Sequence, residues 1–267
     1  MKVSFPLSVS LFVMLLVGPQ EVLSDEEVSL QEQLSADADR IGCDFIHGHD
    51  WRARVEKWRN RGCSDEMFVS AFSKVVEQTM SAEYWTADED KCMQALSSIG
   101  EFSVAASNLA VVVQVVKNGK SHRVRRSATS TYYNETKGSD AFLDFAEDVL
   151  LSTNLQSEVE SVVISGLWHD AREKQKKSGL WGSRVSKLMR NYVERDVRGL
   201  DGADQILRWT DPNYASSPLR RSIRKRILAP GFKDVIDRHK GGIGAGERVQ
   251  MKYRLEEEAE EGKDRAK

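Results

Sequence analysis

Apolar residues along this chain recur every three to four positions, and alternation at a period of two is almost absent. That pattern predicts helices throughout. Residues 25–40 are acidic and polar with a weak helical period, and Ile41–Asp50, containing Gly42 and Gly48, reads as a turn. Trp51, Val55 and Trp58 fall on one helical face, with Gly62 placed as a left-handed cap. Ser64 caps the next helix, Asp65 and Glu66 lie in its first turn, and Phe68, Ala71, Phe72, Val75 and Val76 form its stripe. Thr86-Ala87-Asp88-Glu89 is a capping box. The helix behind it carries Met93, Ala95, Leu96 and Ile99 and stops at Gly100. Further helices are predicted through Ala105–Val116, Arg123–Thr136, Ala141–Leu150, Val159–Ala171 and Val185–Val193, with a Lys- and Gly-containing loop at 173–183.

The predicted helices come in pairs, and the pairs recur. Ala95 and Ile99 match Ala128 and Tyr132 at a spacing of 33, and these match Val163 and Leu167 at a spacing of 35. Two-helix units at such periods stack into α-solenoids, because one pair cannot bury its apolar face alone. Val124-Arg125-Arg126-Ser127-Ala128 resembles the start of the first helix of a HEAT/armadillo-type repeat. Ala95-Leu96-Ser97-Ser98-Ile99-Gly100, followed by Ala105 and Leu109, is similar to the turn and second helix of another. The resemblance spans about residues 65–195. The proline often found early in that family's second helix is missing, with Ser103 and Val104 in its region, and Tyr133 stands where the first repeat has Gly100. The resemblance implies a scaffold that binds protein partners and is not an enzyme. The expected fold is all-α, an α-solenoid-like stack of antiparallel helix pairs, with an irregular helical bundle as the alternative.

The N-terminus changes the picture. Met1 and Lys2 precede the uncharged run Val3–Val17, Gly18 and Pro19 break it, and Val22-Leu23-Ser24 offers compact residues before Asp25. That is the layout of a signal peptide over 1–24 cleaved after Ser24, and the run is shorter than the roughly 20 residues that span a bilayer. Export to a secreted or periplasmic location follows as an expectation. The remaining organisation reads as an N-terminal helical segment at 25–64, a repeat core at 65–197, a helical extension at 198–240 and a flexible tail at 241–267. Within the last two lie the turn signals Asp211-Pro212-Asn213 and Ser216-Ser217-Pro218, and a charged end from Glu256 to Lys267. Thirty-nine Lys and Arg against 41 Asp and Glu leave a net charge of −2, which argues against a general nucleic-acid binder. Cys43, Cys63 and Cys92 offer either one disulfide of unspecified pairing or three small buried side chains.

Candidate chemistry is sparse. His47, His49 and Asp50, with Cys43 nearby, form the densest set of possible metal ligands, since two imidazoles two residues apart on a turn can reach one ion. His122, His169 and His239 are scattered. There is no Gly-x-Ser-x-Gly, His-Glu-x-x-His or Gly-Lys-Ser/Thr phosphate loop, so no catalytic residue and no cofactor is expected. Gly241–Gly246 reads as a joint, not a nucleotide cradle. Arg123-Val124-Arg125-Arg126 before Ser127 fits a convertase site, and Asn134-Glu135-Thr136 a glycosylation acceptor. Leu219, Ile223 and Ile227, with cations between, form a basic amphipathic helix suited to an anionic membrane, an acidic partner or the chain's own tail at Glu256–Glu261. Trp168, Trp181, Arg184 and Tyr192 are of types enriched at binding hot spots. The leading expectation is an exported, non-catalytic helical-repeat protein presenting a concave surface to a protein partner. The rivals are an exported metal-binding protein or enzyme using the 43–50 turn, and a secreted factor processed after Arg126.

Overall fold

The structure is a computed structural model that describes residues 25–102, 109–174, 180–195, 198–240 and 244–265. The expected signal segment, Ser103 to Ala105, and Gly241 to Ile243 of the glycine joint lie outside the described residues. The protein is all-α, and no strand occurs among the described residues. In chain order the helices are α1 (Asp25–Ile46), α2 (Trp51–Arg59), α3 (Asp65–Thr79), α4 (Ala87–Ile99), α5 (Ala110–Asn118), α6 (His122–Thr136) and α7 (Asp140–Leu150). They continue as α8 (Ser157–Lys174), α9 (Leu180–Val193), α10 (Leu200–Thr210), a 3-10 turn at Tyr214–Ser216, α11 (Pro218–Leu228), α12 (Phe232–Lys240) and α13 (Ala245–Arg265).

Side-chain caps explain where many of these helices begin. The hydroxyls of Ser64, Thr86, Ser121, Ser139 and Ser217 each accept a first-turn amide N–H that has no partner within its helix. Gly62 has φ +95°, a conformation that lets the chain leave α2 and enter the Ser64 cap. Two boundaries differ from the sequence expectation. Helix α1 runs through Gly42 and Cys43 to Ile46, so the turn is confined to His47–Asp50. Gly42 lies against α4, where an added Cβ would make ordinary contact at 3.5 Å with Gln94 and Ser98. The described part of the expected flexible tail is helix α13, anchored by buried Tyr253 and Gln250.

Packing follows the recurrence. Helix α4 lies against α6, α6 against α8, and α8 against α10. Helices α3, α5, α7 and α9 pack on α4, α6, α8 and α10 in turn, and α1 covers α3 and α4. The matched positions Ala95 and Ile99, Ala128 and Tyr132, and Val163 and Leu167 are all buried. Each join in this row also has a polar tie between positions 32 to 39 residues apart. The Thr131 hydroxyl donates to Leu96 O at 3.2 Å from α6 to α4. Gly138 N–H donates to the Asp170 carboxylate at 2.7 Å. Trp168 Nε1 donates to Gln205 at 3.0 Å, joining α8 to α10.

Helix α8 makes a close approach to its neighbours at Gly166. A Cβ there would stand 2.7 Å from Tyr133 Cδ2 and 2.8 Å from Phe142 Cζ. Both rings are themselves packed, 4.9 Å apart between centroids, so neither can yield freely. Gly166→Ala is expected to destabilise the protein by about 1–3 kcal/mol through overpacking. A urea midpoint unchanged from wild type would contradict this.

The C-terminal part is held by a buried charge network. Asp204 of α10 is fully buried and accepts the hydroxyls of Tyr214 at 2.6 Å and Tyr253 at 2.8 Å. Arg208 pairs with Asp204 and with Glu256, both at 2.7 Å, and Arg224 pairs with the same Glu256 at 2.8 Å. The basic helix α11 therefore meets the chain's own acidic end. Its apolar stripe also turns inward: Ile223 and Ile227 are buried, which removes the face a membrane would need.

Candidate binding surface

The turn between α3 and α4 carries the most unusual local feature. Tyr84 and Trp85 are 45% and 73% exposed, side by side in a polar segment. Trp85 has φ +62°, and it is the only non-glycine residue with positive φ among those described. For a bulky side chain this left-handed conformation costs about 1–2 kcal/mol. Three contacts hold it. Thr86 must be extended to cap α4, and its hydroxyl accepts the Glu89 N–H at 3.2 Å. The Glu89 carboxylate accepts the Trp85 N–H at 2.8 Å. The Arg123 guanidinium lies 4.6 Å from the Trp85 ring centroid and donates to Glu89 at 2.9 Å.

Glu89 is the hub beneath this surface. The sequence predicts that its carboxylate reaches back to the cap residue. It reaches one residue further, to Trp85, and also accepts the hydroxyl of Ser121, the cap of α6. Burial pushes the Glu89 carboxyl up, but the bonds from Ser121 and Trp85 and the Arg123 charge outweigh this and hold it below the ordinary 4.5. A carboxyl lowered by folding stabilises the protein above its unfolded pKa, and that contribution is lost as pH falls through the folded value. Glu256 is shifted the same way: burial raises it, and Arg208 and Arg224 lower it further. Stability should therefore fall below about pH 4.5. Glu89→Gln should be less stable than wild type at pH 7, and the gap should narrow on acidification. Parallel urea titrations at pH 7 and pH 3.5 check this, and a constant gap would contradict it.

Above the hub, Tyr84 sits 4.8 Å from the Trp85 ring and 4.8 Å from the His122 ring, centroid to centroid. The result is an exposed platform of two aromatic rings and an imidazole, backed by a guanidinium and seated on a buried carboxylate. Elements α4 and α6 position it together. Nothing in it is arranged as a nucleophile with a base. It offers area, a rigid indole and fixed charge.

The structure scatters most of the residues singled out from sequence. The His47 and His49 rings are 6.4 Å apart. Asp50 caps α2, accepting Ala53 N–H at 3.2 Å, and Cys43 is within α1. Among the described residues no group of three or more His, Cys, Asp or Glu is placed to hold a metal ion. All three cysteines are free thiols. Cys63 and Cys92 are buried, and burial raises the Cys92 thiol to about 11. Tyr192 is fully buried, with its hydroxyl donated to Glu160, so it belongs to no surface. Arg184 pairs with Asp140 and Asp144 of α7. Trp168 is half-buried against Trp209, 5.5 Å away, and Trp181 packs against the core. Arg126, Ser127 and Asn134 all lie within α6, and the buried Thr136 hydroxyl donates to Tyr132 O.

Two of the clefts among the described residues lie along the row of packed helices. One of about 610 Å³ is lined by Lys117, Arg125, Asp148 and Gln156 among others, and one of about 460 Å³ lies between α8 and α10 beside Trp168, Asp201 and Gln205. Neither is lined by a histidine or a cysteine. No helix among the described residues is long and apolar enough to cross a membrane.

Sequence reasoning passed over Tyr84 and Trp85. A signal was present, because an aromatic doublet directly before a capping box cannot enter the helix it precedes. The chain matches no family model, no curated protein and no solved structure.

Proposed function

We propose that this chain is an exported, non-catalytic scaffold that binds a protein partner, with Tyr84, Trp85, His122 and Arg123 as its contact surface. The observation that carries the reading is Trp85: a large apolar side chain held out in solvent by a strained backbone and a dedicated buried carboxylate. Strain of this kind is kept where function uses it. Trp, Tyr and Arg are the residue types that dominate binding energy when a partner covers them. The serial packing of α4, α6, α8 and α10 supports a HEAT-like, solenoid-style stack, whose role is to hold such a surface rigid. The signal-peptide pattern at 1–24 supports export.

The test compares three immobilised proteins in the extracellular fraction of the native source: wild type, Trp85→Gly, and Leu255→Ala as a control at another exposed apolar residue. A discrete protein retained by wild type and by the control, and lost from Trp85→Gly, is the expected result. Identical retention by all three would overturn the assignment of this surface.

A further inference from the structure

We infer that the partner presents a cationic segment, an arginine- or lysine-bearing stretch that seats on the exposed face of Trp85. This inference rests on the protein-binding reading above and adds the chemistry of the partner. Arg123 already covers one face of the indole. The residue is nonetheless 73% exposed, with Arg123 and Tyr84 as its ring neighbours, so part of the indole remains open to a ligand. An indole face attracts cations through its quadrupole, and Trp is the strongest of the aromatic side chains in this respect. Arg123 shows that this ring accepts a guanidinium.

The charge around the ring points the same way. Glu83, Asp88, Glu89 and Asp90 lie within five residues of Trp85. Arg123 is shared between Glu89 at 2.9 Å and Asp90 at 3.7 Å. Lys91 is drawn off to Asp39 on α1, at 3.2 Å. Glu83 and Asp88, on either side of Trp85 in sequence, are both exposed. The segment that carries the tryptophan is thus acidic on balance. In sequence, exposed carboxylates (Glu83, Asp88 and Asp90) flank Trp85, and exposed cations (Lys120 and Arg126) flank His122. A basic segment reaching Trp85 from the α4 side meets attraction. An acidic one has to pass Glu83 and Asp88 first. Guanidinium groups suit both requirements, since they stack on aromatic planes and bind carboxylates in a fork.

The experiment uses the full mature chain and two fluorescent probes: a short peptide alternating arginine and glycine, and its counterpart with glutamate in place of arginine. Anisotropy titrations are run at low and at physiological salt. The arginine peptide is expected to bind and the glutamate peptide not to. Trp85→Ala should weaken arginine-peptide binding at least about tenfold. Glu83→Gln with Asp88→Asn should weaken it several-fold and flatten its salt dependence. Thermal melts establish that each variant is folded, and the carboxamide pair, at exposed positions, keeps the test open if Trp85→Ala unfolds. Equal binding of both peptides overturns the inference, as does arginine-peptide binding that ignores Trp85. If the arginine peptide fails to bind while Trp85-dependent capture of a protein persists, the scaffold reading stands and the cationic partner is wrong. If both fail, both fall.

Discussion

Replacing Asp204 by alanine is expected to cost about 3–5 kcal/mol. The carboxylate is fully buried and accepts from Tyr214, Tyr253 and Arg208. Burial first, and the charge of Asp204 next, push both phenols far above their ordinary range, so both hydroxyls stay protonated donors to Asp204. Without Asp204, two buried hydroxyls and part of a guanidinium lose their acceptor, and each such orphan costs about 1–3 kcal/mol. Because Tyr253 lies in α13 and Arg208 also holds Glu256, the damage should be local first. Helix α13 should become the earliest site of tryptic cleavage, at Lys252 or Arg254, before the rest of the chain opens. Asp204→Asn, which keeps one acceptor oxygen, should cost less than Asp204→Ala. A loss under about 1 kcal/mol in Asp204→Ala, with α13 still protected, would show that the network is not what fastens the C-terminal helix.

Trp85 is expected to behave in the opposite way. Trp85→Gly removes a large side chain, yet stability should stay within about 1 kcal/mol of wild type. The lost cation–π and ring contacts are exposed and weak, about 0.5–1.5 kcal/mol each. Release of the left-handed strain returns about 1–2 kcal/mol, less the entropy of a glycine in the unfolded chain. Trp85→Ala keeps the strain and loses the contacts, so it should be less stable than Trp85→Gly. That order reverses the usual preference for alanine over glycine. Binding to the partner should fall by about 30-fold or more in both, the signature of a hot-spot tryptophan. A residue that weighs little on folding and much on binding is what a contact surface requires.

Much of the fold was legible in the sequence because burial forces it to be. Ala95 and Ile99, Ala128 and Tyr132, and Val163 and Leu167 are buried where α4, α6 and α8 pack, and their spacing announced the helices that carry them. Ser64 and Thr86 announced helix starts because unsatisfied first-turn amides need a side-chain oxygen. Gly42 misled, because a glycine can sit within a helix as well as in a turn, and here it lies inside α1 where that helix packs on α4. Helix α13 was obscured by its charge: Tyr253 and Gln250 are its buried contacts, and Glu256 looks solvated until Arg208 and Arg224 are seen beside it. Tyr192 matched a hot-spot residue type and is in the core. Of the platform, the sequence shows only the aromatic doublet before the capping box, and not its conformation. Whether the backbone turns left-handed at Trp85 depends on a carboxylate four residues on, and that carboxylate is fixed by Ser121 and Arg123 from another helix pair. The capping-box motif named Glu89 and gave it the wrong amide.

The central claim is that the protein binds a partner through Trp85 without needing it to fold. Isothermal titration of the retained partner into wild type and Trp85→Gly, each with its melting temperature recorded, tests that claim most directly. Melting temperatures within a few degrees of each other and a dissociation constant raised by about 30-fold or more in Trp85→Gly are the expected result. Equal affinities for two equally folded proteins would contradict it.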